Sequence, residues 1–535
     1  LTASGGAGKV APLSRGESMM GGTRTNRSDE GGLFDKPLFD DPSARALSRV
    51  GVIDVGSNSV RFVVFDGAAR SPAYFYNEKV MAGLGTGLAE TGKLHPEGRK
   101  RAFAALRRFA AVSKAMKVSP LLAVATAAVR EAKDGADFRA QAARETGLSL
   151  RVIEGEEEAR LAAQGVLLGW PEAEGVICDI GGSSMELAEV KGGKVGRRLS
   201  TPLGPLKLER IKGGPEAIRK HARGILEEAA KKIGRPKRIY LVGGSWRAIA
   251  RIDIARRAYP LTVLHEYRMT TEQVRLTATY IEGQTTEMLR ARTGIGAERM
   301  ALVPIAVQVL RELVAVLKPE EIYTSGYGIR EGLLYEAMPE ALRARDPLIE
   351  ACRWAEANAA RVPGFGKKLF AFVAPLFPGA PPERLRIMKA ACLLHDVSWR
   401  AHPDYRHEVC FDNATRANLG GLNHEERVFL GLALLHRYRN SRAGTRFEPL
   451  FQLLTDRAMQ EAEVLGKAMR FGAMFSAEAL EETAALRYDP KRRVLELVLS
   501  PEAEPLYGEV AAARFEALAK ALGVEKSAVR ISAKL

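Results

Sequence analysis

Cysteine and histidine are scarce in this 535-residue chain, which has four of one and eight of the other. Cys178, Cys352, Cys392 and Cys410 are scattered, with no CxxC spacing. They read as reduced core thiols, and the expected location is the cytoplasm. Histidines are too few to suggest a metal centre at once, and none falls in the helical stretch 351–377. Aromatic residues make up 7% of the chain and show no basic-and-aromatic stacking platform, which argues against single-stranded nucleic acid and leaves no DNA partner expected. No uninterrupted apolar stretch approaches the ~20 residues of a membrane span, so no membrane partner is expected. The first residues carry no signal-peptide hydrophobic core.

Charge of one sign is in excess. Eighty basic residues against 64 acidic ones give +16 and a pI near 9.6, a balance that favours polyanionic partners. The length allows three or four domains. Residues 1–46 are rich in Gly, Ser, Arg and Asp and read as a disordered tail. Two α/β segments follow, over 47–172 and 173–342. Residues 343–480 are mostly helical by pattern, and 481–535 read as a small α+β end.

The two α/β segments carry one device twice. VGVIDVGSNSVRFVVFD places Asp54 before Gly56, Ser57, Asn58, Ser59 and Arg61; GVICDIGGSSMELAEV places Asp179 before Gly181, Gly182, Ser183, Ser184 and Glu186. Each reads as a buried strand, a tight Gly/Ser turn and a second strand with alternating apolar residues. Such turns bare their N–H groups and add hydroxyl donors, which makes a cradle for phosphate oxygens. Two cradles suggest half-domains facing each other across a phosphate-binding cleft.

Other candidates cluster around that cleft. Asp54, Asp179 and Glu186 are carboxylates suited to Mg²⁺ shared with phosphate. In EGEEEARLA, Glu156 and Glu157 read as solvated first-turn charge. Glu158 precedes the buried helical face and is the candidate to deprotonate a water. Arg61 and Arg130 offer guanidinium forks for phosphate, against the commoner surface role. Gly243–Gly244 and Ser325–Gly328 end buried strands. His395, Asp396, His402, Asp404, His407, His424 and His436 offer metal-ligand chemistry, with structural histidines as the default reading.

Taken in order, IDVGSNSVRFVVFD, TAAVREA, EGEEEAR, DIGGSSMEL, TPLGPLKLER, LVGG and SGYGIREGLLY resemble the exopolyphosphatase/guanosine pentaphosphate phosphohydrolase family. The resemblance covers residues 50–336. It implies two duplicated actin-like (ribonuclease H-like) domains around a cleft, and the helical remainder resembles the HD-like domain of longer members. It further implies Glu158 as catalytic base, Asp54, Asp179 and Glu186 at Mg²⁺ and water, and Arg130 on phosphate. The activity implied is processive, Mg²⁺-dependent removal of terminal phosphate from inorganic polyphosphate by a homodimer. Guanosine penta- or tetraphosphate, or transfer from polyphosphate to a nucleoside diphosphate, are the rival substrates and reaction; an ATP-driven clamp and a silent polyanion binder are rivals of another class. The second loop reads GGSS where GGGS is usual. Trp246 and Arg247 stand where small residues are common, an obstruction to a nucleoside that favours polyphosphate.

Overall fold

Alternating apolar residues dictate the first sheet. Val50–Val55 (β1) and Ser59–Phe65 (β2) form an antiparallel hairpin in which Asp54 faces Arg61. Ile53, Val55, Val60, Phe62 and Val64 turn to one side, against Phe103, Leu106 and Phe109 of the helix Pro96–Ala115. Val50, Val52, Val63 and Phe65 turn to the other, toward Leu161, Leu168, Leu333 and Leu334. With both faces buried, the hairpin reads as near-continuous apolar sequence. Tyr74–Met81 (β3) pairs with β2, Leu121–Ala125 (β4) runs parallel to β1, and Arg151–Val152 (β5) closes the order β3-β2-β1-β4-β5. The computed structural model describes residues 49–66, 70–475 and 479–535. The expected tail over 1–46 lies outside the described residues.

The second sheet repeats the plan. Gly175–Ile180 (β6), Met185–Lys191 (β7) and Lys194–Thr201 (β8) form a meander, and Arg238–Val242 (β9) runs parallel to β6. Tyr267–Met269 (β10) and Glu321–Thr324 (β11) complete the order β8-β7-β6-β9-β11-β10. Without β10, which adds an antiparallel edge, the two sheets have the same topology.

Between β10 and β11 the sequence suggests one long helical stretch; the structure has helices Thr271–Glu282, Thr286–Thr293, Ala297–Met300 and Val303–Leu317. Gly283 and Gly294 stand at the C-caps of the first two, Gly294 at φ 66, and Thr270 opens the first with a capping box. Ala297–Leu317 is long and apolar enough to cross a membrane by length and overall composition, although Glu298, Arg299, Arg311 and Glu312 interrupt its apolar run. Its apolarity follows from burial: Val303, Ala306, Val307, Val309, Leu310 and Leu313 are fully enclosed in the core of the second sheet.

Helices Gly155–Gly169 and Ile329–Ala337, one from each half, pack backbone to backbone. A Cβ on Gly332 would lie 1.8 Å from the Leu161 carbonyl oxygen, and one on Gly165 2.2 Å from that of Gly328. Beyond them, Pro347–Ala359, Phe365–Val373, Pro382–Leu394, Arg406–Arg416, His424–Tyr438 and Asp456–Phe475 form a helical region. Ala484–Asp489 (β12), Val494–Leu499 (β13) and Lys526–Ile531 (β14) follow as a three-stranded sheet, with the helix Glu509–Leu522 before β14.

Candidate active site

The two Gly/Ser turns meet. Ser57 Oγ and Ser183 Oγ lie 3.2 Å apart, and a Cβ on Gly182 would sit 3.3 Å from that of Ser57. Each turn closes with the same bond: Gly56 N–H donates to the Ser59 carbonyl at 3.0 Å, and Gly181 N–H to that of Ser184 at 2.9 Å. Each is also braced by a glycine-bearing segment. Gly85 N–H donates to the Ser57 carbonyl at 2.8 Å, while the Leu206 N–H donates to that of Gly182 at 2.9 Å. At Gly204 the chain runs so close that a Cβ would be 2.2 Å from the Ser183 carbonyl carbon, a close approach that only glycine allows in the TPLGPLKLER segment. Equivalent registers give opposite charges: Asp54 faces Arg61 in one hairpin, and Asp179 faces Glu186 in the other.

Between the turns lies a cavity of about 170 Å³. Asp54, Gly56, Ser57, Asn58, Ser59, Arg61, Glu158, Asp179, Gly181, Gly182, Ser183, Ser184, Glu186, Gly243 and Gly244 all line it. Arg130 does not. Its Nη1 donates to Glu158 Oε1 at 2.6 Å and to the Ile153 carbonyl at 2.5 Å, so the fork expected on phosphate instead holds the candidate base.

Four carboxylates line the cavity and raise one another. Burial lifts Glu158 to about 7; Arg130 opposes the rise, while Asp179 and Asp54 add to it. Burial likewise takes Asp179 to about 6, with Arg247 pulling down and Asp54 pushing up. Burial, then Glu158 and Asp179, hold Glu186 well above the usual carboxylate range, although Ser200 Oγ donates to its Oε1 at 2.9 Å. Asp54 is raised by burial against Arg330 and Arg61. Mutually destabilised carboxylates in a cavity with hydroxyl donors are a hard-oxygen set, which fits a hard divalent cation. Among the described residues no cluster of three acidic, His or Cys side chains closes on an ion alone. Substrate oxygens and water would have to complete such a shell. Glu156 is exposed and Glu157 pairs with Arg160 at 2.7 Å, as their solvated reading implied.

Cations line the same cavity. Arg61, Arg247, Arg299 and Arg330 line it, from four different elements. Among the described residues Arg61, Arg247 and Arg299 have no carboxylate within 4.0 Å. Burial, followed by repulsion from Arg330 and Arg247, lowers Arg61 to about 10. Lys79, paired across from Arg61 on β3, falls to about 8 through partial burial and then the nearness of Arg299 and Arg61. Sequence reasoning passed over Arg299 and Arg330, although Arg330 stands in the quoted SGYGIREGLLY and Gly294 and Gly296 punctuate the chain before Arg299. It also misplaced Trp246. That side chain is fully buried and donates Nε1–H to the Cys178 carbonyl at 3.1 Å, so it obstructs nothing; Arg247 alone reaches the cavity.

The remaining candidates lie elsewhere. Asp396 is clamped by Arg361 at 2.6 and 2.8 Å, and His395 Nδ1 bonds the Cys392 carbonyl at 2.8 Å. His424 bonds the Tyr259 hydroxyl and the His265 carbonyl. All four cysteines are free and buried.

A duplicated α/β fold that closes two phosphate cradles on a carboxylate-and-guanidinium cavity defines the class: a phosphoanhydride hydrolase with an actin-like fold. The chain belongs to the Ppx/GppA phosphatase family, whose model matches residues 63–341; the model "Exopolyphosphatase, C-terminal" matches 359–529. Exopolyphosphatase 1 of Mycobacterium tuberculosis is 27% identical over 300 residues, covering 54% of this chain and 87% of that protein. Retrograde regulation protein 2 of Saccharomyces cerevisiae is 25% identical over 450 residues, 74% of each chain. The crystal structure of an exopolyphosphatase from Cytophaga hutchinsonii shares the fold, with a TM-score of 0.50 at 23% identity over 54% of this chain and 97% of that one.

Proposed function

We propose that the chain is an exopolyphosphatase that hydrolyses the terminal phosphoanhydride of inorganic polyphosphate. The observation that carries this reading is the convergence of the two cradles, marked by the Ser57–Ser183 contact, on a cavity lined by Glu158 and by arginines. The terminal phosphoryl group is held by turn N–H groups and by the hydroxyls of Ser57, Ser59, Ser183 and Ser184. Glu158 accepts a proton from a water placed in line with the bond to be cleaved, and the shortened chain leaves toward the arginines, which stabilise its new negative charge. Arg130 fixes the Glu158 rotamer and limits its pKa rise. Asp54, Asp179 and Glu186 are the residues that would hold Mg²⁺, which when bound offsets carboxylate–phosphate repulsion and polarises the phosphoryl oxygens. Cleavage is processive in this reading, because inner phosphates stay bound while each orthophosphate departs.

Phosphate release from long-chain polyphosphate, native against Glu158→Gln, tests the assignment. The variant is isosteric and cannot take a proton, so a loss of about 10²–10⁴-fold in kcat is expected. Full activity in the variant refutes Glu158 as the base.

A further inference from the structure

We propose that Arg247 sets the specificity of the cleft: with Arg299 it binds the phosphates inward of the cleaved one and fills the place a nucleoside needs, so that a linear phosphate chain is selected over a nucleotide. The inference rests on the exopolyphosphatase reading and deepens it.

Arg247 stands in the first turn of the helix Gly244–Arg256, which starts at Gly243–Gly244 where β9 ends on the cavity. Its Nη1 donates to the Ser325 carbonyl at 3.2 Å, which fixes the guanidinium against the end of β11. The remaining donors of the fork have no carboxylate partner among the described residues. Arg299 meets it from a separate helical turn and rests on Gly244, where an added Cβ would come within 2.4 Å of the Arg299 Cζ. Any side chain at Gly244 would therefore expel Arg299 from the wall. Burial, then Arg330 and Arg299, lowers the proton affinity of Arg247, and burial, then Arg61, lowers that of Arg299, a crowding of like charge that an anion relieves.

The cavity also lacks what a purine requires. Among the described residues no aromatic side chain lines it, and Trp246, beside Arg247 in the sequence, is turned into the core. Its volume of about 170 Å³ is below the ~300–1,000 Å³ of pockets that enclose drug-sized ligands. Fixed, unpaired guanidinium forks at that place match successive phosphates by geometry as well as charge.

The test uses the full chain with two substrates, linear tetrapolyphosphate and guanosine pentaphosphate, and the variants Arg247→Ala and Arg247→Lys. Loss of a charged, hydrogen-bonding contact predicts a fall of about 30-fold in kcat/KM for tetrapolyphosphate. Guanosine pentaphosphate loses the same inner-phosphate contact but gains the space the side chain filled, so its kcat/KM should fall at least several-fold less than that of tetrapolyphosphate, and the lysine variant should fall between native and alanine. Equal losses on both substrates, or no change on either, would overturn the proposal. Equilibrium binding of the two compounds to the chain carrying Glu158→Gln, with and without Arg247→Ala, reads the same selectivity without turnover. A native enzyme inert toward polyphosphate would sink the hydrolase reading, and the binding arm would still decide the role of Arg247.

Discussion

Glu158 is caught between opposing influences, and Arg130 is the one that can be removed cleanly. Burial and the two aspartates push the carboxyl upward; the 2.6 Å bond from Arg130 pulls it down, and the balance stands at about 7. A general base works only when deprotonated, so activity in the free enzyme should rise with pH through that value. Arg130→Gln leaves the upward influences unopposed, and the pKa should climb by about 1–3 units. The acid limb of the kcat/KM profile should then shift to higher pH by the same amount. A limb that stays in place while KM alone rises would return Arg130 to the phosphate-binding role that the family resemblance implies. Legibility was uneven at this scale. Glu158 was separable from Glu156 and Glu157 because only it adjoins the buried helical face. Trp246 and Arg247 looked alike as bulky neighbours after a double glycine, yet successive residues on a helix point about 100° apart, so one enters the core and the other the cavity.

Among the elements, the cleft depends on two helices that touch through glycine. Gly332 faces the Leu161 carbonyl so closely that an alanine methyl would sit 1.8 Å from it, and that neighbour is backbone, unable to rotate away. Gly332→Ala should therefore force the helices apart and cost about 1–3 kcal/mol, the usual range for overpacking. The denaturation midpoint should fall accordingly. Because Gly328 and Arg330 open the same helix and line the cavity, activity should drop along with stability. An unchanged midpoint would mean that the contact is not this tight in solution. This pairing was illegible, since each helix reads as ordinary and the partner glycines lie in different halves of the chain. The hairpins were the opposite case. Strand alternation and Gly/Ser turns are local signals, so β1–β2 and β6–β7 could be read directly, whereas the helices between β10 and β11 ran together because their breaks rest on single glycines.

Across the whole molecule, the duplicated strand order brings two similar turns face to face, and the difference between them produces the function. One hairpin places an arginine where the other places a glutamate, so carboxylates and guanidinium groups meet in one cavity. The duplication was visible because both copies kept their motif; the cationic lining of the cavity was not, since Arg247, Arg299 and Arg330 come from segments that only the fold assembles. The chain as a whole carries a net +16, and many of its cations outside the cavity are exposed. These two sets of cations should respond differently to salt. Exposed charges are screened within about 10 Å at 0.1 M and about 3 Å at 1 M, whereas buried ones are screened far less. In the proposed reading tripolyphosphate lies within the cavity and draws mainly on its arginines, while a long chain extends beyond it and draws on the exterior as well. Raising salt from about 0.05 to 0.5 M should therefore raise KM for long-chain polyphosphate about tenfold or more, and for tripolyphosphate only a few-fold, with kcat little changed for either. If both substrates weaken in parallel, the exterior charge takes no part in holding the chain, and the cavity alone accounts for binding.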